Sequence, residues 1–202
     1  MPMPSTPSPR QHFCRWLLRQ CGWTVVFRWP PAPKCVVIFY PHTSNWDFIW
    51  GVLTYWSLGI QIRWCAKDNW FRWPLGILAR ALGGIPVNRR ERTGFVDQLK
   101  NAYASAEELY IAITPEGTRS RTDHWKSGFY HLALAADVPV GLAFIDHPRR
   151  RIGMETYVAL SGREDEDLEM FRAYYAEKRG VRPHLQGDIR FTRSPLRAAD
   201  GG

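Results

Sequence analysis

The chain has no uninterrupted run of about 20 apolar residues, the length a helix needs to cross a bilayer. Its best candidate, residues 48–62, is only about 15 residues long. Membrane spanning is therefore not expected, and any membrane association should be peripheral. Cysteine is scarce: Cys14, Cys21, Cys35 and Cys65 are the only four, at irregular spacing. That does not make a small disulfide scaffold, and no Cys/His grouping has zinc-site spacing. Reduced thiols in a cytoplasmic protein are expected. There is no internal repeat and no sustained heptad, which excludes solenoids and coiled coils. Residues 1–9 hold four prolines but lack the apolar core and cleavage site of a signal peptide. They are expected to be a disordered tail. No serine sits in a convincing nucleophile elbow, so a hydroxyl nucleophile would come from the substrate.

What is present is a globular composition, 45% hydrophobic and 23% charged. At 202 residues one domain is expected, burying roughly 70% of its unfolded surface. The net charge is +8, from 27 basic against 19 acidic residues. This favours an anionic partner: nucleic acid, an anionic membrane surface or a phosphorylated small molecule. Nine of the ten tryptophans lie in the first 73 residues. Such rings gather at lipid headgroup layers, and they also fill cores. The aromatics form no RNA-binding signature and the basic residues no dense stretch. No nucleic-acid partner is expected.

Residues 11–29 alternate basic and aromatic positions and predict an amphipathic helix. Phe13, Trp16, Leu17 and Gln20 fall near one face, and the segment suits either an interfacial helix or an ordinary cap on the domain. After Pro30, Pro31 and Pro33, the run Cys35-Val36-Val37-Ile38-Phe39-Tyr40 predicts a buried strand. Ser44 or Asn45 can cap a helix over 46–57. Strands over 60–66, 85–87, 109–113, 138–145 and 154–160 alternate with helices over 70–82, 93–108, 128–136 and 164–178. This predicts an α/β fold, a three-layer sandwich around a mostly parallel sheet, with an N-terminal amphipathic helix. The expected organisation is a tail over 1–9, a helical element over 10–30, the main domain over 31–192 and a frayed tail over 193–202.

Two segments carry chemistry. In His42-Thr43-Ser44-Asn45-Trp46-Asp47 an imidazole and a carboxylate are five positions apart, where a strand passes into a helix. Histidine is half available as a base near neutral pH, and Asp47 can fix its tautomer. In Glu116-Gly117-Thr118-Arg119 the glycine allows close backbone approach, and Thr118 and Arg119 can donate to a phosphate. Glu116 is expected to orient Arg119 or to meet a substrate hydroxyl. Arg89 and Lys67 follow other strands and could join the same anion, since strand ends on one edge of an α/β sheet gather such sites.

In these residues the chain resembles the glycerolipid acyltransferases, whose best-known members act on lysophosphatidic acid. His42 and Asp47 match the family's His, four residues, Asp block, and residues 116–119 match its Glu-Gly-Thr-Arg block. Residues 84–89 match the arginine-ending block between them, and Val138-Pro139-Val140 resembles a later one. The resemblance implies acyl transfer from an acyl thioester, acyl-CoA or acyl carrier protein, to the hydroxyl of an anionic lysolipid. His42 would take the hydroxyl proton, Asp47 would hold His42, and Arg89 and Arg119 would hold the phosphate. No metal and no permanently bound cofactor is implied. The family's N-terminal helical element meets the membrane, which implies a membrane contact through residues 10–30 and a peripheral seat on the cytoplasmic face of the inner membrane. Two blocks depart from the usual pattern, with Tyr40-Pro41 before His42 and Asp123-His124-Trp125 after Arg119. An aminolipid, glycolipid or polyene-precursor acceptor therefore stays open beside a lysophospholipid; so does hydrolysis, since water could cleave the thioester at the same site, and a non-catalytic basic membrane- or nucleic-acid-binding protein is the remaining alternative. Oligomeric state is not legible.

Overall fold

The computed structural model describes residues 7–87 and 92–192. Helix α1 (Pro9–Gln20) and strand β1 (Thr24–Phe27) precede β2 (Lys34–Tyr40), α2 (Asn45–Leu58) and β3 (Ile62–Lys67). A 3-10 turn (Asp68–Phe71) leads to α3 (Leu75–Ala81), β4 (Gly84–Val87), α4 (Arg92–Ser105) and β5 (Leu109–Ile113). Then come α5 (Gly128–Ala136), β6 (Val140–Asp146), β7 (Arg151–Val158) and α6 (Glu164–Tyr175). The strands form one sheet in the order β1-β7-β6-β2-β5-β3-β4. Among the described residues only β6 and β7 pair antiparallel; every other neighbouring pair is parallel. The α/β sandwich with a mostly parallel sheet is thus as the alternation of strands and helices dictates.

Alternation along β2 sends its side chains to two different layers. Val36, Ile38 and Tyr40 pack with Leu99 and Tyr103 of α4, Phe129 of α5 and Phe171 and Tyr175 of α6. Cys35 and Val37 pack on the other side with Ile60, Tyr110 and Met154. Further along that side, Leu18 of α1 and Trp50 and Leu53 of α2 cover Ile145 and Ile152.

Helix α2 starts where it does because Ser44 and Asp47 form a capping box. The Ser44 hydroxyl accepts from the Trp46 N–H, and the Asp47 carboxylate accepts from the Ser44 N–H at 2.8 Å. A carboxylate in the first turn also complements the helix dipole. The helix ends at Gly59, whose φ is 76°. That left-handed conformation favours glycine, and the Gln11 carboxamide of α1 lies against it. Arg15 Nε donates to the Ser57 carbonyl at 2.8 Å, satisfying one of the orphan carbonyls at the end of α2.

The N-terminal segment departs from the expected single helix over 11–29. Helix α1 stops at Gln20, Gly22 turns the chain at φ 75°, and Thr24–Phe27 joins the sheet beside β7. Thr-Val-Val-Phe is β-branched and aromatic, and its parallel pairing with β7 wins over helix propensity. Cys14 and Leu18 face the domain, whereas Phe13 and Trp16 are exposed, so α1 both caps the fold and presents an apolar stripe. The expected tail over 1–9 is too long: the Ser8 hydroxyl caps α1 and Pro9 is its first residue. The rest of that tail, residues 1–6, and the tail over 193–202 lie outside the described residues. Between 70 and 82 one helix was expected. Pro74 instead separates the 3-10 turn from α3, since a proline restricts the residue before it.

Candidate active site

The parallel strands β2, β5 and β3 all run toward one edge of the sheet, and β6, parallel to β2, ends there too. Both motif segments follow strands at this edge: His42 comes two residues after β2, and Glu116–Arg119 follows β5. Their backbones are tied together by Glu116. One of its oxygens accepts the His42 backbone N–H at 2.8 Å, and the other accepts the Gly187 N–H at 2.7 Å. The Glu116 side chain is buried. Its described hydrogen bonds clamp backbone. Burial pushes its carboxyl up to about 7, although the two backbone N–H groups favour the charged form.

Asp47 is wholly buried. Its Oδ2 accepts the Thr43 and Ser44 N–H groups, each at 2.8 Å, and lies 3.7 Å from His42 Nδ1. That last separation is longer than a hydrogen bond, and His42 Nδ1 is buried with no hydrogen-bond partner among the described residues. Burial pushes the His42 imidazole down to about 4; the Asp47 charge opposes this and the Arg119 charge adds to it. Burial thus favours the neutral imidazole, which has an available lone pair.

A cavity of about 390 Å³ opens at these residues and runs between α2 and the sheet. His42, Asp47, Thr118 and Arg119 line one part of it. Asp47, Gly51, Thr54 and Leu58 line it from α2, spaced to share one helix face. Val37, Phe39, Ala112 and Ala143 form its sheet side. An ionisable pair therefore sits on a mostly apolar chamber, with a guanidinium beside it.

Gly117 has φ 61°, a left-handed conformation that favours glycine. The Thr118 hydroxyl accepts the Ser120 N–H at 3.2 Å, stiffening the turn. Arg119 is exposed. Lys67 closes β3 at the same edge; its side chain, and Arg89 altogether, lie outside the described residues. The unusual flank proves structural. Trp125 is buried against Tyr40, Phe129, Phe171 and Tyr175 on the far side of the sheet, and Asp123 and His124 pair with each other at the surface.

One site residue has no counterpart in the motif pattern. His147 follows β6 directly, and its Nε2 lies 2.8 Å from Asp47 Oδ1. Its only signal in the sequence is a histidine immediately after a very apolar strand, at the edge where such residues collect.

A histidine–aspartate pair lies at the C-terminal edge of the parallel strands, over a mostly apolar chamber, which is the layout of an α/β enzyme. The model of the Acyltransferase family matches residues 28–141, more than half of the chain, and the chain belongs to that family. It is an acyltransferase. A crystal structure of PlsC, the 1-acyl-sn-glycerophosphate (LPA) acyltransferase from Thermotoga maritima, shares the fold. The likeness has a TM-score of 0.50 and 18% identity, covering 83% of this chain and 73% of that one. No curated protein matches the chain.

Proposed function

We propose that this acyltransferase moves a fatty acyl group from an acyl thioester, carried on coenzyme A or acyl carrier protein, to the hydroxyl of a lysophospholipid such as 1-acyl-glycerol-3-phosphate. The observation that carries the reading is the placement of His42 where an apolar chamber meets Arg119. A fatty chain fits the first and a phosphate the second. The acceptor of the related-fold PlsC, 1-acyl-sn-glycerophosphate, has this anionic character.

In this reading Asp47 faces His42 Nδ1, so Nε2 takes the proton from the acceptor hydroxyl. The oxygen attacks the thioester carbonyl and forms a tetrahedral oxyanion. Collapse breaks the carbon–sulfur bond, and the departing thiolate takes the proton back from the imidazolium. The buried Asp47 charge stabilises that imidazolium without itself becoming protonated. Arg119, with Arg89 and Lys67, neutralises the acceptor phosphate. No permanently bound cofactor enters the scheme.

The decisive assay follows thiol release together with the mass of the products, offering both donor types and a series of lysolipid acceptors. His42→Ala and Asp47→Asn are expected to lower transfer by about 10²–10⁴-fold, the usual worth of a positioned base. Full activity in His42→Ala would sink the mechanism. Thiol release without acylated acceptor would point to a hydrolase, and acylation of only an aminolipid or glycolipid would replace the acceptor.

Lipid substrates require access to a lipid surface. Among the described residues no helix is long and apolar enough to cross a membrane. Phe13 and Trp16 on α1, Trp46 and Ile49 at the start of α2, and Trp73, Leu75, Ile77 and Leu78 around α3 are exposed, Trp73 at 85%. With the net charge of +8, these suit a peripheral seat on an anionic bilayer. Flotation with phosphatidylglycerol vesicles tests this. Phe13→Ser/Trp16→Ser and Trp73→Ser/Ile77→Ser are each expected to float less than the parent, and equal flotation would remove the surface role. Truncating residues 10–30 would be a poor test, because it removes β1 from the sheet.

A further inference from the structure

The Asp47 carboxylate has an imidazole on each oxygen, His147 on Oδ1 at 2.8 Å and His42 beside Oδ2 at 3.7 Å. The shorter contact belongs to the histidine outside the motif. We infer that His147 is a positioning residue for acyl transfer: it fixes the plane in which the Asp47 carboxylate faces the His42 ring. The inference rests on the reading of His42 as the base.

A carboxylate only accepts hydrogen bonds, so His147 Nε2 carries the proton in this contact. The two backbone N–H groups of Thr43 and Ser44 bind Oδ2 alone. Without His147, Oδ1 loses its described hydrogen bond inside a fully buried site, and the carboxylate is left tethered through one oxygen. Rotation about that tether would leave Oδ2 in place but swing Oδ1 and turn the carboxylate plane, and with it the lone pair that faces His42 Nδ1, whose other described surroundings offer it no hydrogen bond.

His147 is itself held on its backbone and on its ring. Its backbone N–H donates to the Arg179 carbonyl at 2.9 Å. Its ring meets Trp23 edge-on at 5.2 Å, and Trp23 leans on Trp50 of α2 at 5.3 Å. The side chain is 17% exposed, so the donor is directed by packing and is not a mobile surface group. The turn after α1, helix α2 and the β6–β7 connection thus converge on a single hydrogen bond to Asp47. Such outer partners orient a reacting imidazole and fix its tautomer.

The test compares His147→Leu, which fills the space without a donor, with His147→Gln, whose side-chain amide places an N–H near the position of Nε2. His147→Leu is expected to lower kcat by about 10- to 100-fold, the scale of a misplacement of about 1 Å. KM for donor and acceptor should hold, and His147→Gln should recover most of kcat. Long-range proton–nitrogen NMR of the imidazoles supplies a readout that general packing does not move. His42 should carry its proton on Nδ1 in the parent and become a tautomer mixture in His147→Leu. Parent-like kcat in His147→Leu would overturn the inference. So would equal losses in both variants with an unchanged His42 spectrum. An active His42→Ala would instead show that the base assignment has failed, so the two failures are distinguishable.

Discussion

Val36, Ile38 and Tyr40 of β2 point to one face of the sheet and Cys35 and Val37 to the other, yet the two sides are filled differently. Toward α4, α5 and α6 the space is taken up by Tyr103, Trp125, Phe129, Phe171 and Tyr175, all buried. Each aromatic of this kind covers about 150–250 Å², and at about 25 cal/mol per Å² this face supplies much of the apolar driving force. Toward α2 the neighbouring strands offer Ala112 and Ala143, the helix offers Gly51, and about 390 Å³ stays open. A Cβ on Gly51 would meet nothing within 4 Å. One sheet thus has a solid face that keeps it folded and a hollow face left available to substrate.

The largest effect should come from breaking the solid side. Phe171→Ala removes a fully buried ring and is expected to cost about 3–5 kcal/mol, read by denaturant unfolding. Its turnover per folded molecule should match the parent. If turnover collapsed while the protein stayed folded, the division of labour between the faces would be wrong. Ala112→Leu makes the opposite change by adding bulk to the chamber. Stability should move little, because the added carbons enter open space instead of a packed core. Donor preference should shift toward shorter acyl chains, with about 10–200-fold discrimination per methylene that no longer fits. An unchanged chain-length profile would mean that the acyl chain lies elsewhere.

The difference between the faces was only partly legible. The apolar runs at 35–40, 109–113 and 138–145 predicted buried strands, and parallel strands separated by helices bring His42 and Glu116–Arg119 to one edge by topology alone. Sequence does not reveal which small residues adjoin the same void, because Gly51, Ala112 and Ala143 meet only after folding. Strand β1 was hidden for a related reason: four residues read as a helix tail until β7, over a hundred positions later, pairs with them. Trp125 stood out only as an unusual flank of the motif and is core, since its loop bridges to Phe191 and its ring packs on Tyr175. Glu116 carries a motif glutamate's identity but makes backbone contacts that no spacing rule announces. His147 reaches Asp47 across 100 positions.

The edge where the faces meet gives the smallest effect and the finest test. Burial holds Glu116 up to about 7 and His42 down to about 4, against ordinary values of 4.5 and 6.5. From pH 4.5 to 7 the folded chain keeps a proton on Glu116 that the unfolded chain releases, so this group's stability contribution is lost as pH rises. From pH 6.5 down to 4 the unfolded chain gains a proton on His42 that the folded chain refuses, so that contribution is lost as pH falls. The two slopes oppose one another between 4.5 and 6.5 and largely cancel. Glu116→Gln keeps the shape of the clamp but cannot titrate. Its stability, measured by denaturation at a series of pH values, should rise with pH relative to the parent by up to about 1.4 kcal/mol per unit in that window. A lost acceptor would offset the whole curve without tilting it. Parallel curves for parent and variant would therefore show that Glu116 is ionised throughout, and that its two backbone N–H bonds outweigh its burial.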